Sequence, residues 1–282
     1  MRLRLLIISA LLLSPLYLAA QTEAPPAAAA PSLPAATYTQ AYCSGFITAP
    51  PIAPDLTVLG GADDDFHSPV RQFVQGEWIY IDVHNSAKPV VGIEFSVVRP
   101  AKELFRTQVY PGQDADIRHA GKPYEDVAQV RITHVSAEGV AAKVTFSCGG
   151  IMPGDILIPF QSRSIPSYSA TPRLDHFIPK DKDQDYGKYH GRIVGVRNNY
   201  TYFGREMVVY LSLGERQGVM PGARYRIYKD LPPYPTGFLH SKREPTETVG
   251  EAVVISVQPR SCVAMVVSSY REIVAGDVVE QE

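Results

Sequence analysis

The two halves of this chain carry nearly the same pattern. Val127–Asp155, VAQVRITHVSAEGVAAKVTFSCGGIMPGD, aligns with Val249–Asp277, VGEAVVISVQPRSCVAMVVSSYREIVAGD, over 29 residues without a gap, at a constant offset of 122. Val127, Val135, Ala142, Val144, Ser147, Ile151, Gly154 and Asp155 meet an identical residue in the second copy. Upstream, Gly92–Val98 answers Gly222–Tyr228, and Gly45-Phe46-Ile47 is matched to Gly191-Arg192-Ile193. Two copies of a unit this long predict two small domains of one kind rather than a solenoid of short repeats.

Within each copy the strand signal dominates. Trp78–Val83 alternates with Ile79, Ile81 and Val83 on one face, and Val208–Leu213 does the same with Val209, Leu211 and Leu213. Val130–Val135 and Val140–Phe146 predict a hairpin turning at Ala137-Glu138-Gly139, repeated by Ala252–Val257 and Cys262–Val267 around Pro259-Arg260-Ser261. Short strands with Gly and Pro between them, and no helical period sustained over ten residues, predict an all-β chain of two tandem small barrels. Met152-Pro153-Gly154, Pro221-Gly222 and Ala275-Gly276 each read as a tight turn with glycine at positive φ. Asp155 and Asp277 follow such turns and read as turn residues bonded to nearby backbone.

The ends and linkers set the boundaries. Arg2 and Arg4, the apolar Leu5–Leu13 and the small residues before Gln21 read as a signal peptide over 1–20. A Pro/Ala-rich linker is expected over 21–37, the first barrel over 38–160, a Pro- and charge-rich linker over 161–187, and the second barrel over 188–282. Copy two has its own apolar strands and is expected to fold alone. No later run is apolar enough to cross a membrane as a helix, so the protein is expected in the periplasm or at the outer membrane, peripheral at most.

Three cysteines stand in what would be an oxidising compartment. Cys262 falls in mid-strand and reads as a buried small hydrophobe. Cys43 and Cys148 are expected on the first and last strands of copy one, and a disulfide between them if those strands are neighbours. The rival is a reactive Cys148 assisted by His134.

A net charge of −2 and no basic stripe argue against nucleic acid as a partner. Asp181, Asp183 and Asp185 are spaced like the start of a calcium loop, but Gly187 and Arg192 break the pattern, so a solvated acidic linker is the preferred reading. Asp63-Asp64-Asp65 beside His67 reads as a surface loop. No metal site, cofactor fingerprint or catalytic set is recognisable. Two long loops, Pro100–Glu125 and Lys229–Thr248, stand at the same place in the two copies. Their aromatic and basic residues are the candidate binding residues: Phe105, Arg106, Tyr110 and Tyr124 in one, Tyr234, Phe238, His240, Lys242 and Arg243 in the other.

The run Leu211–Tyr228, with its strand, Gly-Val turn and following strand, then Val249-Gly250 and the Gly276-Asp277 pair, resembles the carboxy-terminal domain of the flagellar assembly T protein and similar SH3-like envelope domains. It is also similar to uncharacterised exported acidobacterial envelope proteins. The resemblance is good over about 190–282 and looser over 42–160. It implies SH3-like barrels in a cell-envelope protein and carries over no catalytic residue. The expected function is therefore non-enzymatic binding or scaffolding, with an envelope protein or a cell-wall polymer as partner. Rivals are a binder of cell-wall polysaccharide or peptidoglycan, with Trp78 and tyrosines stacking on sugars, and a hydrolase whose site is not recognisable.

Overall fold

The computed structural model describes residues 32–61, 72–85, 88–101, 108–169, 190–230 and 246–282. The expected signal peptide, most of the Pro/Ala tract, Asp63–Asp65 and His67, Phe105 and Arg106, Asp181, Asp183 and Asp185, and Tyr234, Phe238, His240, Lys242 and Arg243 lie outside them. In chain order the elements are β1 (Ser32–Pro34), α1 (Tyr38–Tyr42), β2 (Phe46–Thr48), β3 (Leu56–Gly61), β4 (Trp78–Val83), β5 (Glu94–Pro100), α2 (Gln113–Ala120), β6 (Lys122–Val135), β7 (Val140–Ser147), β8 (Ile156–Pro159) and β9 (Ser167–Ser169). Then follow β10 (His190–Val196), β11 (Val208–Leu211), β12 (Arg224–Asp230), β13 (Thr246–Val257), β14 (Cys262–Ser269) and β15 (Val278–Gln281).

The repeat is realised strand for strand. In repeat 1 the strands pair in the order β3-β4-β7-β6-β5-β8, and β8 returns to β3 to close the ring. In repeat 2 the order is β10-β11-β14-β13-β12-β15, closing on β10. Even the irregularities coincide. Bulges at Val58/Gly60, Val97/Val98, Gln129/Val130 and Ile132/His134 answer those at Ile193/Gly195, Ile227/Tyr228, Glu251/Ala252 and Val254/Ser256. Bulges bend strands, so matched bulges give both rings the same curvature. The strand equivalent to β10 is thus β3, and the matching of Gly45-Phe46-Ile47 to Gly191-Arg192-Ile193 is corrected. Residues 46–48 are an added strand, β2, on the outside of β6.

Each ring has its own interior. Ile79, Ile81, Val97, Val130, Ile132 and Val144 fill the first; Val209, Leu211, Tyr225, Ile227, Val254 and Val266 fill the second. The expected turns are present: Gly154, Gly222 and Gly276 have φ of 87°, 88° and 102°. The Asp155 and Asp277 carboxylates accept the backbone N–H of Met152 and Val274, at 2.8 and 2.9 Å.

A third apolar cluster joins the barrels. It takes the outer face of repeat 2 (Val194, Val208, Tyr210, Val253, Ile255, Val263, Met265 and Val267) and packs it against Phe46, Ile47, Ala120, Tyr124, Ala35 and Ala36 from the first half. Two of the predicted linkers contribute here: β1 pairs with β9, and Ala35 N–H donates to the Pro166 carbonyl. Repeat 2 therefore has apolar residues on both faces of its sheet, one inside the ring and one against repeat 1.

Candidate functional site

The Cys43–Cys148 disulfide is present, with Cα atoms 5.4 Å apart, inside the usual range. The reason given for it from sequence is corrected. Cys43 caps the C-terminus of α1, ahead of β2, and Cys148 follows β7, the strand before the last. What brings them together is the return of the amino-terminal segment across repeat 1. Cys148 consequently has no thiol to act as a nucleophile. Cys262 is buried and free, and burial pushes its thiol pKa up.

The disulfide is one of several ties that lock α1 and β2 onto repeat 1. Arg163 donates to both Asp126 carboxylate oxygens, at 2.7 and 2.8 Å, and to the Ala41 carbonyl at 2.8 Å. The Gly45 N–H donates to the same carboxylate at 2.9 Å. Gly45 has φ of 67°, and a Cβ there would stand 2.7 Å from the Tyr124 carbonyl oxygen, so only glycine lets β2 lie this close. From this fixed segment polar bonds reach repeat 2: Tyr210 Oη–H donates to the Ser44 carbonyl at 2.8 Å, and Ser261 Oγ–H to that of Ile47.

The described part of the first long loop, residues 108–125, packs as a structural element. Its residues 113–120 form α2, whose Gln113 side-chain amide donates to the Val194 carbonyl at 2.9 Å. Tyr124 is corrected as a binding residue: it lies within β6, is wholly buried, and its hydroxyl accepts the Ile52 N–H at 2.9 Å. Tyr110 is half-buried; burial and its hydrogen bond to Asp116 hold its phenol pKa well above the usual value.

Among the described residues two features stand out as candidates for binding. The first is a cleft of about 630 Å³ between the barrels, beside the disulfide, walled by Arg99, Glu125 and Asp126 on one side and Arg197, Asn198 and Asn199 on the other. Two of its four charged side chains, Arg99 and Asp126, are engaged within the first half of the chain. Arg99 grips Asp155 through two bonds, of 2.6 and 2.7 Å, and that hydrogen bonding raises its pKa above the ordinary value. Asp126 holds Arg163. The two walls of the cleft are tied together where the Tyr210 hydroxyl donates to the Ser44 carbonyl.

The second is the outer face of repeat 1, the counterpart of the face repeat 2 loses to the interface. Pairing register sets the equivalences. Trp78 stands opposite Lys143 and Tyr80 opposite Ala141, as Val208 stands opposite Met265 and Tyr210 opposite Val263. Leu59, in the bulge of β3, corresponds to Val194. Arg131 and Thr133 correspond to Val253 and Ile255. Yet Leu59 is 64% exposed, Trp78 44% and Tyr80 45%, whereas their counterparts in repeat 2 are buried. Beside Tyr80 a groove of about 360 Å³ is bordered by Leu59, Asp82, Lys88 and Glu138. The sequence points to Trp78 only for the alternative of sugar stacking, and its candidate binding residues are those of the two loops. The missed signal is a contrast between the copies: Ala252–Val257 and Cys262–Val267 are almost continuously apolar, as in sheets buried on both sides, while Val130–Val135 and Val140–Phe146 alternate.

No protein family model matches this chain, and no curated protein matches it. Among the described residues no helix is long and apolar enough to cross a membrane, and no three His, Cys, Asp or Glu side chains are grouped as a metal site.

Proposed function

We propose that this chain is an exported, non-enzymatic binding or scaffolding protein of the cell envelope, in which repeat 2 serves as a rigid base and repeat 1 presents the ligand-binding face. One observation carries the reading: two copies of one barrel have the same face, and it is consumed internally in one copy and left open, with aromatic residues, in the other. An exposed apolar patch on an otherwise closed body is where interaction sites are found. The disulfide fits an oxidising location. The amino-terminal Arg2, Arg4 and Leu5–Leu13, and the resemblance of Leu211–Tyr228 to SH3-like envelope domains, support export and an envelope role. The test is cell fractionation of the exported protein against the Trp78→Ala/Tyr80→Ala double variant. The variant is expected to stay folded and move from the envelope to the soluble fraction. If it remains with the envelope as the parent does, the open face is not the binding face.

A further inference from the structure

Resting on that reading, we infer that the ligand on the open face of repeat 1 is a cell-wall glycan strand, stacked on Trp78 and Tyr80. Three observations favour a sugar over a protein. The first is area. The exposed parts of Leu59, Trp78 and Tyr80 amount to roughly 300 Å², below the roughly 450 Å² of apolar surface, a little over half of about 800 Å², that each partner of a stable protein interface buries. The second is chemistry. Where this fold does bury the face against protein, it uses Val208, Tyr210, Val263, Met265 and Val267. At the matching places repeat 1 has Trp78, Tyr80, Ala141, Lys143 and Thr145: the tyrosine is shared, but an indole replaces Val208 and polar side chains replace Met265 and Val267, leaving two aromatic residues edged by polar groups. A pyranose with equatorial substituents has that complementary character: its faces are C–H and its rim is hydroxyl and amide. Trp and Tyr suit such amphipathic contacts.

The third is spacing. Trp78 and Tyr80 are alternate residues of β4 and project from the same face, about 6.6 Å apart along the strand, comparable with the length of one sugar unit in a chain. The groove beyond Tyr80 continues the line, with the carboxylates of Asp82 and Glu138 at its border as acceptors for ring substituents, while the Lys88 ammonium donates to the Ser136 carbonyl at 2.7 Å. Lys143 lies over the indole, its ammonium 5.9 Å from the ring centroid. Its flexible stem lets it move aside when a sugar stacks.

Trp78 is the sole tryptophan of the chain, so its emission reports on this face alone. The full mature protein is titrated with soluble β-1,4-linked N-acetylglucosamine oligomers, and sedimented with sacculi stripped of protein by protease. The expected result is a saturable change in Trp78 emission that grows with oligomer length, and co-sedimentation weakened at least roughly ten-fold by Trp78→Ala or Tyr80→Ala but largely retained by Trp78→Phe. No emission change and no co-sedimentation overturns the glycan. If the protein still fractionates with untreated envelope through Trp78 and Tyr80, only the glycan assignment falls and the partner is a protein or lipid. If the double variant also stays with the envelope, the binding reading falls with it.

Discussion

Replacing Met265 by lysine puts into repeat 2 the residue that repeat 1 carries at the matching place, Lys143. Met265 is 1% exposed and sits in the cluster between the barrels. The variant loses the burial of a large apolar side chain, about 1.5–3 kcal/mol, and must either bury an unpaired ammonium, at several kcal/mol, or part the barrels to reach water. The expected cost is about 3–5 kcal/mol. In a folded body of roughly 200 residues that lowers Tm by about 10 °C. The reciprocal change, Lys143→Met, alters an exposed residue and loses only its interaction with the Trp78 ring, about 0.5–1 kcal/mol. Thermal and guanidinium melts of the two variants followed by far-UV circular dichroism give both costs. Equal costs, or a Met265→Lys cost below about 1 kcal/mol, would refute the claim that one face is structural and its twin is free.

Cys43→Ser/Cys148→Ser should remove about 2–5 kcal/mol of stability, because the bridge closes a sequence separation of 105 residues; without reductant the native protein should show no thiol reactive to a disulfide reagent and the denatured protein one, Cys262. Tyr124→Phe should cost about 1 kcal/mol through the lost Ile52 bond and leave envelope association unchanged in fractionation, where a loss of association would restore Tyr124 as a binding residue. An isolated 190–282 fragment uncovers eight apolar residues of the shared cluster; it should self-associate in sedimentation velocity, and a well-behaved monomer with a sharp melt would argue that the interface contributes little.

The barrel architecture was legible because a repeat doubles every signal. Alternation in Trp78–Val83 and Val208–Leu213, the turn glycines and the hairpins all matched between copies and all hold in the structure. What the repeat hid was the difference between its copies. The copies agree at the inward positions, where Ile132, Ala142 and Val144 meet Val254, Ala264 and Val266 and one packing problem has one solution, and differ at the outward ones, where Arg131, Thr133, Ala141 and Lys143 meet Val253, Ile255, Val263 and Met265. The outward positions answer to whatever lies outside, and the alignment by itself does not say what that is. The amino-terminal segment is misplaced for a related reason: Phe46 and Ile47 look like part of a strand and lie in β2, but a three-residue strand does not declare which edge it joins. The bridge from Cys43 to Cys148 was expected on the wrong strands, since a disulfide depends on where two Cβ atoms meet and not on strand order.

The central claim is that the open face of repeat 1 is the surface that meets the envelope, and Trp78 allows it to be read without altering the protein. Acrylamide quenching of the intact protein should show an accessible tryptophan, in keeping with its 44% exposure, and adding isolated envelope should shield it. Quenching that is equally strong with envelope bound would mean that contact occurs elsewhere on the molecule, and would contradict the account.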